Sequence, residues 1–304
     1  MASSRADLTS SDGVPLTKTS GRVKTARKLA RRAFRAEHRE FLADGPKAVE
    51  GALSVPGCVV EVFATPAATE AYAGLRAAAP AWTVVDEAAL ASLSEAVHPQ
   101  GLVARCRFVD RPLDHLLTPV IDERAAASAV EERESVVEER APASVSKPVL
   151  VVVCADVRDP GNAGTVIRTA DAAGADAVVL AGSSVDAYNA KTVRATVGSL
   201  FHVPLAVERD PAAAVGRLRS AGLTVFAADG GGEVDLDEAA DHGLLARPTA
   251  WLFGNEAWGL PQELAALADH RVAIPIHGRA ESLNLATAAA VCLYASARAQ
   301  RTPA

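Results

Sequence analysis

Three glycine-bearing stretches in the C-terminal half combine charged, amide and hydroxyl side chains at spacings that suit a small-molecule and anion site. The first is Asp156-Val157-Arg158-Asp159-Pro160-Gly161-Asn162-Ala163-Gly164-Thr165-Val166-Ile167-Arg168-Thr169-Ala170. Gly161 and Gly164 permit tight backbone turning, and the pattern places Arg168 within about two turns of a helix start. The macrodipole does not favour a cation there, so an anionic partner such as phosphate is the better reason for it. Taken alone, this stretch also fits the glycine turn of a dinucleotide enzyme, although the GxGxxG spacing is missing.

The second stretch is Leu252-Phe253-Gly254-Asn255-Glu256-Ala257-Trp258-Gly259-Leu260-Pro261. Gly254 lets a ligand approach the backbone, and Glu256 can hold amides or a cation; a helix start with an acid in its first turn is the structural alternative. The third stretch runs Ile274-Pro275-Ile276-His277-Gly278-Arg279-Ala280-Glu281-Ser282-Leu283-Asn284-Leu285. Ser282 is placed like an N-cap of the following Ala-rich helix. Asn284 then falls in the first turn, where Asn is a poor helix former, which points to a role beyond structure.

All three stretches follow strand-like segments. From Pro148 onward strands are expected at Val149–Cys154, Ala177–Leu180, His202–Val207, Thr224–Ala227, Ala250–Phe253 and Arg271–Ile274. Helices alternate with them at Gly164–Ala173, Ala212–Ala221, Gln262–Ala268 and Ser282–Gln300. Such alternation predicts an α/β domain on a mostly parallel sheet, with ligands bound beyond the carboxyl ends of the strands.

The first third of the chain reads as a smaller α/β domain. Val23, Ala26, Leu29, Ala30, Ala33, Phe34 and Phe41 recur at helical spacing, followed by strands at Cys58–Ala64, Thr83–Val85 and Gly101–Val109 and a helix at Ala67–Ala79. The expected organisation is a flexible tail at 1–19, a smaller basic domain at 20–113, a charged linker at 114–147 and a chemistry-bearing domain at 148–304. The formal net charge of −6 argues against a polyanionic partner on average. Its distribution argues otherwise, because Lys18 to Arg39 carries Lys24, Arg27, Lys28, Arg31 and Arg32 among nine cations against one acid, Glu37. Cys58, Cys106, Cys154 and Cys292 form no CxxC pair and sit among apolar neighbours, so neither a zinc site nor a disulfide framework is expected, and no metal. The N-terminus has no secretory pattern, and the longest apolar run falls far short of the roughly 20 residues a membrane helix needs. A cytoplasmic protein is expected.

In this order, DPGNAGTVIRTA, FGNEAWGLP and IPIHGRAESLN resemble the three signature motifs of the SpoU branch of the SPOUT RNA ribose 2′-O-methyltransferases. Lys191 to Ser199 resembles the family's segment between the first two motifs. More weakly, Lys24–Gly51 and His98–Ala104 resemble the substrate-binding domain of its ribosomal-RNA members, which is similar to a ribosomal-protein fold.

The resemblance implies a parallel-sheet SPOUT domain with a deep trefoil knot, a homodimer, and S-adenosylmethionine bound at Gly254, Ile274, Leu283, Asp229 and Gly230. It puts Arg168, Glu256, Ser282 and Asn284 on the family's catalytic positions. RNA contacts fall to Asn162 and Arg194, together with Lys24, Arg27, Lys28, Arg31 and Arg32. A guanidinium is a poor base at a pKa above about 12, so Arg168 is expected to bind the phosphate beside the target ribose and orient the hydroxyl. Ile276 stands where the family often has Met, a swap between apolar side chains of similar volume. The implied substrate is ribosomal RNA, in housekeeping or antibiotic resistance. The alternatives are transfer RNA as substrate, a non-catalytic RNA-binding assembly factor, and a dinucleotide oxidoreductase.

Overall fold

A computed structural model describes residues 14–118, 120–121, 145–146 and 149–301. Of the expected tail, residues 1–13 lie outside the described residues, but Leu16 is docked: its N–H donates to Val84 O, and its carbonyl accepts from Asp86 N.

The basic segment forms two short helices, α1 (Gly21–Arg27) and α2 (Arg32–His38), separated by a 3-10 turn at Lys28–Ala30. A single helix running to Phe41 does not form. Arg31 is extended and Arg39 is left-handed at φ 51°, which ends α2 and lets strand β1 (Glu40–Asp44) start at once. Phe41 and Ala43 then alternate into the core at strand period. The chain continues through α3 (Pro46–Ser54), β2 (Val59–Ala64), α4 (Pro66–Ala71), α5 (Ala73–Ala78), β3 (Trp82–Val84), α6 (Glu87–Leu93) and β4 (Leu102–Arg107). The helix expected at 67–79 is broken at Tyr72, whose ψ of 45° is not helical. Four strands pair in the order β1-β4-β2-β3, with β4 antiparallel to both neighbours and β2 parallel to β3.

Most of the expected linker lies outside the described residues, but it opens on a docked helix, α7 (Leu113–Leu117). Leu113 and Leu116 pack under the second sheet with Val151, Ala206 and Leu218. A two-residue antiparallel ladder joins β5 (Val120–Ile121) to β6 (Val145–Ser146).

The second sheet holds β7 (Leu150–Ala155), β8 (Ala177–Ala181), β9 (Leu205–Glu208), β10 (Thr224–Ala228), β11 (Val234–Asp235), β12 (Thr249–Phe253) and β13 (His270–Ala273). Its order is β11-β13-β10-β12-β7-β8-β9, and every pairing is parallel. The chain leaving β12 must therefore pass β10 to reach β13 on its far side. The central strands are buried on both faces, as the near-continuous Val, Ala and Leu runs require. The covering helices are α8 (Pro160–Ala173), α9 (Ala190–Thr196), α10 (Pro211–Ser220), α11 (Leu236–Asp241), α12 (Gln262–Ala265) and α13 (Leu285–Arg301).

The two sheets share one apolar core. At the seam, Tyr188 stacks on Phe108 with centroids 3.8 Å apart and lies 4.7 Å from Phe41. Its hydroxyl accepts from the N–H groups of Val109 and Asp110 and donates to Asp110 Oδ1. Arg35, on the basic segment, is buried here: Nη2 reaches Asp186 Oδ2 at 2.6 Å, and Nη1 donates to the carbonyls of Leu29 and Ala30.

Candidate functional site

Three strand ends, those of β10, β12 and β13, open toward one cleft of about 360 Å³. Asp229, Gly230, Gly254, Ile274 and Leu283, the residues expected to hold a cofactor, all line it, as do Glu256 and Ser282. Val272, Ile274, Leu283 and Leu285 supply apolar wall, while Asp229, Glu256 and Glu281 supply carboxylates. Apolar wall beside acids and open glycine backbone suits a ligand with a flat aromatic part and a positive charge.

The loop after β12 is rigid. Asn255 and Gly259 exchange two backbone hydrogen bonds at 2.9 Å, closing a tight turn. A Cβ on Gly254 would fall 2.3 Å from Gly259 C, so no side chain fits there. Buried Asn255 donates to Asp156 O at 2.7 Å and accepts from Ala257 N, tying this loop to the end of β7. Asp156 itself is left-handed at φ 56°, and its Oδ1 accepts from Ser183 N.

Glu256 reaches across to the first loop. The N–H groups of Arg158 and Asp159 donate to its two carboxylate oxygens at 3.1 and 3.0 Å, and Asn162 Nδ2 donates at 3.3 Å. Partial burial pushes its carboxyl up, but these hydrogen bonds outweigh it and hold the group below the ordinary carboxylate range. A carboxylate so engaged is a clamp between loops. Asn284 Nδ2 in turn donates to Asn162 Oδ1 at 3.1 Å, so all three loops are joined by side-chain hydrogen bonds.

Several expectations shift. Helix α8 starts at Pro160, not Gly164, with Asp159 as its N-cap accepting from Asn162 N. Arg168 consequently sits in the third turn, on an exposed face, and does not line the cleft. Gly164 serves helix packing, because a Cβ would fall 2.5 Å from Ala195 Cβ on α9. Asn284, not Ser282, caps α13, its Oδ1 accepting from Ala286 N and Thr287 N. Its place in the sequence therefore has a structural reason in addition to its link to Asn162.

Lys24, Arg27, Lys28, Arg31 and Arg32 are all exposed. Arg194 lies at the seam between the sheets. One of its Nη atoms is buried without a hydrogen bond, and its charge acts on Asp44. Three residues were not singled out from the sequence: Asn255, Arg158, and Trp258 on the exposed tip of the second loop. The signal for the last was a tryptophan in a turn that needs no large side chain.

Among the described residues no group of His, Cys, Asp or Glu could hold a metal ion. All four cysteines are buried and unpaired, and burial pushes the Cys154 thiol up to about 12. Also among the described residues, no helix is long and apolar enough to cross a membrane.

Residues 149–294 match the model of the SpoU rRNA Methylase family, and residues 21–104 match that of an MRM3-like substrate binding domain. The 23S rRNA (guanosine(2553)-2′-O)-methyltransferase RlmP of Bacillus subtilis is 31% identical over 90% of this chain and 94% of its own length. The 23S rRNA (uridine(2479)-2′-O)-methyltransferase of Streptomyces viridochromogenes is 38% identical over 46% of this chain and 49% of its own. An AdoMet-bound rRNA methyltransferase from Sinorhizobium meliloti superposes with a TM-score of 0.72 at 31% identity, covering 96% of this chain and 97% of that one. The AdoMet complex of the SpoU methyltransferase AviRb from Streptomyces viridochromogenes superposes at 0.73 with 27% identity, over 92% of this chain and 98% of that one. This chain belongs to the SpoU rRNA methylase family, and its second sheet is a SPOUT methyltransferase domain.

Proposed function

We propose that this chain transfers a methyl group from S-adenosylmethionine to a ribose 2′-hydroxyl of ribosomal RNA, working as a cytoplasmic homodimer without a metal. The observation that carries this is the convergence of the loops after β10, β12 and β13 on one cleft, to which Glu256, Asn162 and Asn284 tie the loop after β7. The names of the Bacillus and Streptomyces relatives support ribosomal RNA as the substrate.

The cleft's composition fits the cofactor. The apolar wall of Ile274 and Leu283 would take its adenine, and backbone at Gly230 and Gly254 would take its polar edges. When bound, the cofactor supplies an electrophilic methyl on a positively charged sulfur. The protein's part is positioning and charge control. Glu256 fixes the relative placement of the first two loops, and Asn284 fixes the third against Asn162. Arg168, exposed beyond this cluster, binds the phosphate next to the target ribose and orients the hydroxyl.

The unit at 20–113 presents Lys24, Arg27, Lys28, Arg31 and Arg32 to the RNA, and the unit at 148–304 carries the chemistry and the trefoil knot that the motif resemblance implies. Exposed Val291 and Tyr294 lie along one side of α13, and a second copy packing there supports the dimer. Calorimetric titration with S-adenosylmethionine, followed by mapping of ribose methylation on 23S rRNA from cells with and without the gene, tests the proposal. Binding plus one ribose methyl that disappears with the gene is the expected result. No cofactor uptake and no lost methyl would overturn it.

A further inference from the structure

At the tip of the second loop, Trp258 exposes 56% of its surface, while Trp82 and Trp251 are buried. A large apolar ring standing in solvent on a turn contributes nothing to the core of this chain. Its turn is also fixed, closed by the paired hydrogen bonds of Asn255 and Gly259 and anchored to β7 through Asn255. The indole is thus held ready rather than left loose.

One face of the ring is covered by the Arg158 guanidinium, 5.4 Å from its centroid. The Arg158 backbone is pinned by Glu256, the residue that links the loops of the cleft. Trp258 itself does not line the cleft, although its neighbours Ala257 and Gly259 do, so the ring stands at the rim. On its other side, Arg158 lines a shallow groove with Arg32, Arg35, Ser183, Asp186 and Asn189. Arg35 is neutralised there by Asp186. Arg32 comes from the basic segment, so this groove runs from that segment to the rim of the cleft.

We infer that Trp258, backed by Arg158, is a stacking platform for an RNA nucleobase at the methylation site, with the adjoining backbone phosphate lying in the groove toward Arg32. Every nucleobase offers a π face, and a cation behind an indole strengthens a stack while attracting phosphate. Cationic side chains flanking an exposed aromatic complement a polyanion carrying flat bases; a second copy of this chain would have to bring acids to meet them. The inference rests on the proposed reaction and assigns a substrate-binding contact to it.

The single exposed tryptophan among the described residues makes a direct experiment possible. Unmodified 23S rRNA fragments transcribed in vitro should quench tryptophan emission of the wild-type chain, and the quench should vanish in Trp258→Leu. Methylation assays should show KM for the RNA raised about tenfold in Trp258→Leu with kcat changed less than threefold, and restored largely by Trp258→Tyr. Calorimetric affinity for S-adenosylmethionine should be the same in all three. Wild-type methylation with unchanged quench and KM in Trp258→Leu overturns the platform alone. Light scattering that shows Trp258→Leu falling apart into single chains also overturns it, since the ring would then be covered by a second copy. A wild-type chain that methylates no ribose overturns the proposed reaction instead.

Discussion

The interlocked loops at the strand ends and the cationic surface beside them handle charge in opposite ways. In the loops, the side chains of Glu256, Asn162 and Asn284 answer one another, Asn255 donates to Asp156 O, and Asp229 is paired with Arg271. On the surface, Arg168, Arg32 and Lys24 stand exposed. Internal pairing fixes geometry before any ligand arrives, whereas an exposed cation stays hydrated until a polyanion replaces the water and releases counterions. The difference separates groups that shape the cleft from groups proposed to meet RNA.

Arg168→Ala should break this division most visibly. Turnover should fall by a factor on the order of 10² to 10³, with S-adenosylmethionine affinity unchanged by calorimetry. A tenfold loss of cofactor affinity would put Arg168 with the loops instead.

Arg35→Ala comes next, because it strands Asp186 in a largely buried setting between the two sheets. A loss of about 3 kcal/mol in chemical denaturation is expected, with one cooperative transition. A loss under about 0.5 kcal/mol would show that the ion pair is incidental.

Glu256→Gln sharpens the role of the clamp. The folded-state carboxyl is held below its ordinary value of 4.5, so its stabilising contribution is complete above that value and is lost as pH falls through the depressed one. The melting temperature of the wild type should exceed that of the variant by a few degrees at pH 7, and the gap should close on acidification below about 4.5. A gap independent of pH would assign the effect to packing.

Single replacements in the basic segment, such as Lys28→Gln, should be the mildest. Each should weaken RNA binding a few-fold and lower the slope of log affinity against log salt by about 0.7. An unchanged slope would remove that residue from the RNA path.

Much of the catalytic half was legible in the sequence because its strands are apolar runs punctuated by glycine-rich ends, and a parallel sheet collects those ends on one edge. Gly254, Ile274, Leu283, Asp229 and Gly230 fell along one cleft for that reason. Details requiring an exact helix start were not legible. Ser282 and Asn284 are both good caps, and the choice between them depends on where Leu285 begins to turn. The break between α1 and α2 was hidden because apolar spacing persists across the 3-10 turn. Arg35 looked like one more cation on a basic face, since its partner Asp186 lies 151 positions away and nothing local announces it. Trp258 was passed over for a related reason: an exposed ring is visible as exposed only after the fold is known.

The packing by which Tyr188 and Phe41 join the two sheets also bears on protein engineering. Recognition modules connected by a bare tether can be exchanged between enzymes like interchangeable tool heads. Here the exchange surface includes an aromatic plug and a buried ion pair, so a chimera would need the Tyr188 region transplanted along with the front end. Retargeting this scaffold to a new transcript should therefore proceed by recolouring its cationic exterior rather than by swapping its halves.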